Sequence, residues 1–155
     1  MALADDIERL GRTRPFSLLP REAIQLIAFS AEKRMLAINE TLFEEGEAGD
    51  CGYFVLSGSI TLATGGRGGP RTRIAREGAL IGENAMLAEV HRPAAARAAE
   101  NSLVLRISRA VFHRVLSEFP KEALRIRAEL QARTRKIARE LDELRVRAID
   151  TPTAR

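Results

Sequence analysis

The sequence has no tryptophan, one tyrosine (Tyr53) and one cysteine (Cys51). A single cysteine excludes an internal disulfide and fits a reducing, cytoplasmic setting. Nothing around Cys51 marks it as a reactive thiol, so it reads as an ordinary small residue in a loop. The two histidines, His91 and His113, stand far from each other and from Cys51, which gives no metal site. His91 reads as an exposed loop residue and His113 as lying on the outer face of a surface helix. No Ser-His-Asp or Cys-His arrangement can be assembled and no carboxylate pair is marked by its context, so an enzyme is not expected. No apolar run is long enough to span a membrane. The N-terminal stretch MALADDIERLGRTR carries acidic residues and no apolar core, unlike a secretory signal. The glycine-rich stretch Gly65–Pro70 lacks the Lys-Ser/Thr of a phosphate loop and reads as a hairpin tip.

What is present is 155 residues, 45% of them hydrophobic. That is one domain with a proper core. The formal net charge is +4, and the segment Pro120–Arg147 holds nine Lys or Arg against five Asp or Glu. The whole excess therefore sits on one C-terminal segment, either as a solvated helix face or as a surface for an acidic partner.

Ala4–Gly11 reads as a short helix and Pro15–Pro20 as a turn with apolar anchors. Pro20 suits the first position of a helix to about Ser30, with Ile24, Leu26, Ile27 and Phe29 supplying its apolar face. From Lys33 the texture changes to short alternating runs divided by glycine, an all-β signal. Met35 and Ala37, then Leu42 and Phe43, are the expected inward positions. Gly46–Asp50 reads as a turn, Tyr53–Leu56, Ser59–Ala63 and Arg71–Ala75 as strands, and Gly78 as a further turn. Ala94–Ala99 and Leu103–Ile107 read as the last strands. Ser108 suits the N-cap of a helix carrying Phe112, Val115 and Leu116. Phe119-Pro120 should break that helix and start another, to about Arg147. In it Leu130, Ile137 and Leu144 are spaced by sevens with Leu141 between, a short coiled-coil-like seam for a homodimer.

The chemistry-bearing stretch is Ile81–Ala98, IGENAMLAEVHRPAAARA. Gly82 lets backbone approach a ligand closely. Asn84–Leu87 suit one helical turn, whose first N–H groups attract an anion. Arg92 can fork onto a phosphate, and Glu83 can accept from a sugar hydroxyl. Together they describe a pocket for a sugar phosphate.

This stretch resembles the phosphate-binding cassette of cyclic nucleotide-binding domains. Gly82-Glu83-Asn84-Ala85-Met86-Leu87 and Arg92-Pro93-Ala94-Ala95 carry the resemblance, with Gly46-Glu47-Ala48-Gly49-Asp50 and Tyr53–Ile60 upstream. It implies an α+β fold: an antiparallel β-roll, or jelly roll, with N-terminal helices and a long C-terminal helix. The expected layout is one domain over 1–147, with N-terminal helices 1–32, the roll 33–107 around the cassette 81–98, C-terminal helices 108–147, and a flexible tail 148–155. The implied ligand is cAMP or cGMP, held by Gly82, Glu83, Asn84, Ala85, Arg92, Pro93, Ala94 and Ala95, with no further cofactor. The phosphate would sit on Ala85 and neighbouring amides and on Arg92, and Glu83 would hold the ribose 2′-hydroxyl. The base would stack toward the long helix. Pro93 offers no N–H where relatives often do, and Ala95 replaces a Thr or Ser that helps read the base. Asn84 stands where an apolar residue packs under the cassette. Each lost hydrogen bond costs about 1 kcal/mol. The family's transcription regulators continue into a helix-turn-helix domain, which needs more residues than follow the long helix here. The expectation is therefore a stand-alone sensor module in which ligand moves the C-terminal helix, and direct DNA binding is not carried over. The alternatives are a dimerisation or protein-interaction module with a silent pocket, and a regulator-like protein without its DNA-binding domain.

Overall fold

The computed structural model describes residues 2–65 and 69–132. Helix α1 (Ala2–Gly11) puts Ile7 and Leu10 inward. Its buried Asp6 is offset by Lys33, whose Nζ lies 3.3 Å from the carboxylate. A 3-10 turn, Phe16–Leu18, anchors itself with Phe16 and Leu19. Helix α2 (Arg21–Ser30) follows. Pro20 is its N-cap rather than its first residue: Pro20 is extended, and its carbonyl accepts from the Ala23 and Ile24 amides. The buried stripe is Ala23, Ile24, Ile27 and Ala28, so Leu26 and Phe29, expected on the apolar face, are outside it, Phe29 at 79% exposure. A helix presents i, i+3 and i+4 together, and Leu26 and Phe29 fall on the far side of that stripe.

Ten strands follow: β1 (Glu32–Leu36), β2 (Thr41–Phe43), β3 (Ala48–Gly49), β4 (Cys51–Ser57), β5 (Ser59–Thr64), β6 (Arg71–Arg76), β7 (Leu80–Ile81), β8 (Val90–His91), β9 (Ala95–Ala98) and β10 (Ser102–Ser108). They form antiparallel sheets in the orders β1-β10-β4-β7 and β2-β9-β5-β6, with β3-β8 as a separate ribbon. Between the two larger sheets lies a core of Leu36, Phe43, Cys51, Tyr53, Val55, Ile60, Leu62, Ile81, Ala96, Ala98 and Val104. Side chains alternate across a strand. Phe54 and Leu56 of β4, with Leu105 and Ile107 of β10, therefore face the other way and pack with the helices. That is why β4 reads as an unbroken apolar run.

Two readings of the strands change. Met35 is 83% exposed and Ala37 is exposed, while Leu36 between them is buried. The three are consecutive, so alternation alone could not choose their parity; pairing of β1 with β10 chose it. Gly46–Asp50 is more than a turn, since Ala48 and Gly49 pair with His91 and Val90.

Ser108 caps helix α3 (Arg109–Glu118), its Oγ accepting from Val111 N at 3.1 Å. Phe112, Val115 and Leu116 are buried, and Phe112 meets Phe16 edge to face at 6.1 Å. Phe119 interrupts the helix, and residues 120–132, helix α4, resume it. Its inward stripe is Ala123, Ile126 and Leu130. Leu130 is 2% exposed within the chain's own core, so it is not available to an intermolecular seam. Ile137, Leu141, Leu144, the remainder of 120–147 and the tail 148–155 lie outside the described residues, as do Gly66–Gly68 of the hairpin tip. The architecture is the expected α+β antiparallel roll with helical flanks. Among the described residues no helix is long and apolar enough to cross a membrane.

Candidate functional site

Gly82 opens the cassette in the left-handed region, with φ 68° and ψ 32°, and precedes a 3-10 turn over Glu83–Met86. Glycine is required there twice. A side chain would strain that backbone, and a Cβ would stand 2.3 Å from Nη1 of Arg92. Within the turn the Ala85 amide donates to the Gly82 carbonyl at 3.1 Å. The amide expected to bind phosphate is thus already engaged. Ala85 and Met86 are buried, Glu83 is partly exposed and Asn84 is exposed. Position 84 faces outward, so its polar side chain displaces no packing; Met86 does the packing instead.

Arg92 lies 4% exposed. Its backbone is fixed by two bonds to the upstream glycine block: Arg92 N to Glu47 O at 2.7 Å, and Gly46 N to Arg92 O at 2.8 Å. Gly49 leaves room for the guanidinium, since a Cβ there would come within 2.9 Å of Cζ. Nη2 donates to the Cys51 carbonyl at 2.8 Å, and the Cys51 Sγ is 3.4 Å away. The guanidinium lies 4.3 Å from the Phe43 ring centroid and 5.9 Å from that of Tyr53, distances at which ring faces attract a cation. Nη1 is buried and has no hydrogen-bond partner among the described residues. A cationic donor in an aromatic bed with one nitrogen uncommitted is costly to keep, and it is prepared for an anion.

Beyond Arg92, Pro93 is exposed while Ala94 and Ala95 are half-buried. Gly82, Ala85 and Arg92 are therefore brought together, with Glu83 next to Gly82 in the turn. Pro93 supplies no backbone N–H donor, and Asn84 is exposed. Phe43, Gly49, Cys51 and Tyr53 were not identified from the sequence. Cys51 is not a loop residue but the buried first residue of β4, offering its carbonyl. Gly49, Cys51 and Tyr53 lie in or beside the upstream block that carried the resemblance, which was the available signal. Phe43 gave none.

Among the described residues each histidine side chain makes one hydrogen bond. His91 Nδ1 is 3.1 Å from Gly46 O. His113 is exposed on α3, as expected, but its Nε2 is 2.8 Å from the Leu87 carbonyl, which can only accept. Nε2 therefore carries the proton, and α3 is bonded to the end of the cassette turn.

Burial, reinforced by a hydrogen bond with Cys51, pushes the Tyr53 phenol up to about 12. A raised phenol contributes stability that is fully present below about pH 10 and is lost as pH rises through about 12. Tyr53 is the one tyrosine in the chain, so ultraviolet titration reads it directly. We expect little phenolate absorbance at about pH 11, where the denatured chain is mostly ionised; coincident curves would show an unperturbed phenol.

Comparison with known proteins completes the picture. Residues 33–119 match the model of the cyclic nucleotide-binding domain. The chain belongs to that family. The domain is 30% identical over 131 residues to the cyclic AMP receptor protein of Thermus thermophilus, a match covering 83% of this chain and 61% of the relative. It is similar in structure to a cyclic nucleotide-binding-like protein from Brucella abortus, at 39% identity and TM-score 0.66, over 73% of this chain and 98% of that one. It is also similar to the N-terminal domain of a transcriptional regulator from Streptomyces coelicolor, at 25% identity and TM-score 0.73, over 86% and 94% of the two chains.

Proposed function

We propose that the domain is a regulatory module that binds a cyclic nucleotide, cAMP or cGMP, and passes occupancy of the cassette to α3 and the C-terminal helix. The observation that carries this reading is Arg92: a buried cation over Phe43 and Tyr53 with Nη1 unpartnered. Nη1 takes a phosphate oxygen and Glu83 the ribose 2′-hydroxyl. The Ala85 proton can be shared between Gly82 O and the phosphate, as three-centre bonds at helix ends often are. No catalytic step is invoked.

The route to the helices is short. Met86 packs in the helix-side core, and His113 of α3 holds the Leu87 carbonyl. A ligand shifts the helices only to the extent that it binds one arrangement better than another. A homodimer or a protein partner along 120–147 belongs to the same proposal; among the described residues of that segment, Leu124 is 72% exposed.

Thermal melting with cAMP, cGMP and 5′-AMP tests the reading. A ligand at 100 times its Kd stabilises by about 2.7 kcal/mol, which for a chain of this length is a rise of about 5–10 °C. We expect that rise with at least one cyclic nucleotide and none with 5′-AMP. No rise with either cyclic nucleotide at millimolar concentration would overturn the proposal.

A further inference from the structure

The two larger sheets end in the strands β1, β7, β2 and β6. Of these β7 has two residues and β2 three, while β1 has five and β6 six. Strand β6 is paired with β5 on one side. On its other side no described strand pairs with it. Alternate residues of an antiparallel strand turn their N–H and C=O groups to opposite sides. This edge therefore presents about three donors and three acceptors to whatever lies beyond it.

The side chains along the edge are of one sign. The strand reads Arg-Thr-Arg-Ile-Ala-Arg, and Arg71, Thr72, Arg73, Ile74 and Arg76 are exposed. Through its side chain none of the three arginines makes a hydrogen bond or ion pair with a described residue. Arg9, Arg14 and Arg106, by contrast, each meet a carboxylate. The remaining strands of this sheet add Arg97 and no Asp or Glu. Strand β1, the other long edge, is mixed: Lys33 lies on Asp6 and Glu32 on Arg106. Along β6, Arg71 and Arg73 stand opposite Thr64 and Leu62, and Thr72 and Ile74 opposite Ala63 and Thr61. Side chains alternate, so the two arginines share one face and the two β-branched residues share the other.

Charge on an open edge guards it against pairing with a second copy. Pairing β6 with β6 would crowd six arginines along one seam. The guard does not act against a strand of opposite sign. The residues beyond 132 hold more Lys and Arg than Asp and Glu, so the chain's own C-terminal segment is a poor complement. Nucleic acid would use the charge but not the ladder, and the sheet exposes no aromatic ring for a base to stack on.

We infer that β6 is a docking edge for an acidic, extended segment of a partner protein, which joins the sheet as a further strand. Main-chain hydrogen bonds supply the affinity in this mode, and alternate side chains supply the choice of partner. Carboxylates meet Arg71 and Arg73, and β-branched side chains meet Thr72 and Ile74. No residue of the cassette takes part, so the inference stands apart from nucleotide binding.

Fluorescence anisotropy of the full chain with a labelled peptide of alternating Glu and Val tests this. Two further peptides of the same sequence carry backbone N-methyl groups, one on the Glu residues and the other on the Val residues. In a ladder only one of those sets of N–H groups faces β6. One methylated peptide should therefore lose about tenfold or more in affinity, and the other should bind like the parent. The double variant Arg71→Ala with Arg73→Ala alters only exposed side chains, and should weaken the parent peptide about two- to 30-fold. A Lys-Val peptide should not bind. Failure of the Glu-Val peptide to bind at millimolar concentration overturns the inference. Equal affinities of the two methylated peptides overturn it as well, since charge attraction without a ladder does not distinguish them. A single-stranded oligonucleotide that binds more tightly than the peptide, and loses affinity in the double variant, assigns the edge to nucleic acid and overturns it too.

Discussion

Arg92→Met is expected to abolish nucleotide-induced stabilisation while leaving the ligand-free domain about as stable as wild type, or more so. On the proposed function the two effects part, because Arg92 would serve the ligand rather than the fold. Nη1 is buried without a partner, and an unsatisfied buried donor costs about 1–3 kcal/mol, more when charged. Methionine keeps most of the stem that packs against Phe43 and Tyr53 and removes the charge; such replacements of buried ions are often neutral or stabilising. What is lost is the charged bond from Nη2 to the Cys51 carbonyl, about 1.5–3 kcal/mol, and the attraction of the Phe43 and Tyr53 rings for the cation, about 0.5–2 kcal/mol. Toward a phosphate the balance reverses. Removing one partner of a desolvated charge pair costs about 2–5 kcal/mol, a weakening of at least about 30-fold. Melting both proteins with and without ligand separates the terms. A variant that loses several kcal/mol without ligand would make Arg92 a structural residue and weaken the case for the pocket.

The second large effect concerns the C-terminal helix. Leu130→Ala is expected to destabilise the ligand-free protein by about 2–5 kcal/mol, the usual cost of truncating a buried leucine. That lowers Tm by roughly 6–15 °C, and the loss should not depend on protein concentration. The ground is that Leu130 sits 2% exposed in the chain's own core, in the stripe of Ala123 and Ile126. Had Leu130 belonged to a dimer seam, its truncation would weaken association, and the Tm deficit would be absent in dilute protein and grow as protein concentration rises. Denaturant unfolding over a hundredfold range of concentration decides between them. Leu124, exposed on another face of the same helix, serves as the contrast, with Leu124→Ala having little effect on the monomer.

Much of the fold was legible in local pattern. The Ser108 cap, the stripe of Phe112, Val115 and Leu116, the break at Phe119 and the strands divided by Gly58 and Gly78 are all set within a few residues of chain. Capping, periodicity and turn chemistry are short-range, so sequence alone carries them. The Gly82 turn was legible in part: a glycine marked a close backbone approach and a helical turn was expected at Asn84–Leu87, while the left-handed φ of 68° and the 3-10 turn over Glu83–Met86 came from the structure.

What sequence could not decide depended on partners far along the chain. Leu36 faces the roll, and Met35 and Ala37 do not, because of pairing with a strand about 70 residues away. Leu130 reads equally well as seam or core until the helix is docked, and docking chose the core. The site shows the same division. Glu83 and Arg92 are visible in the cassette itself. The bed around the Arg92 guanidinium, with Phe43, Gly49, Cys51 O and Tyr53, is gathered from three strands roughly 40 to 50 residues upstream. Sequence by itself determined which residues can bind a phosphate. Only the tertiary structure decided that Arg92 is desolvated with one nitrogen unspent among the described residues, because burial is a property of the closed roll and not of any segment within it.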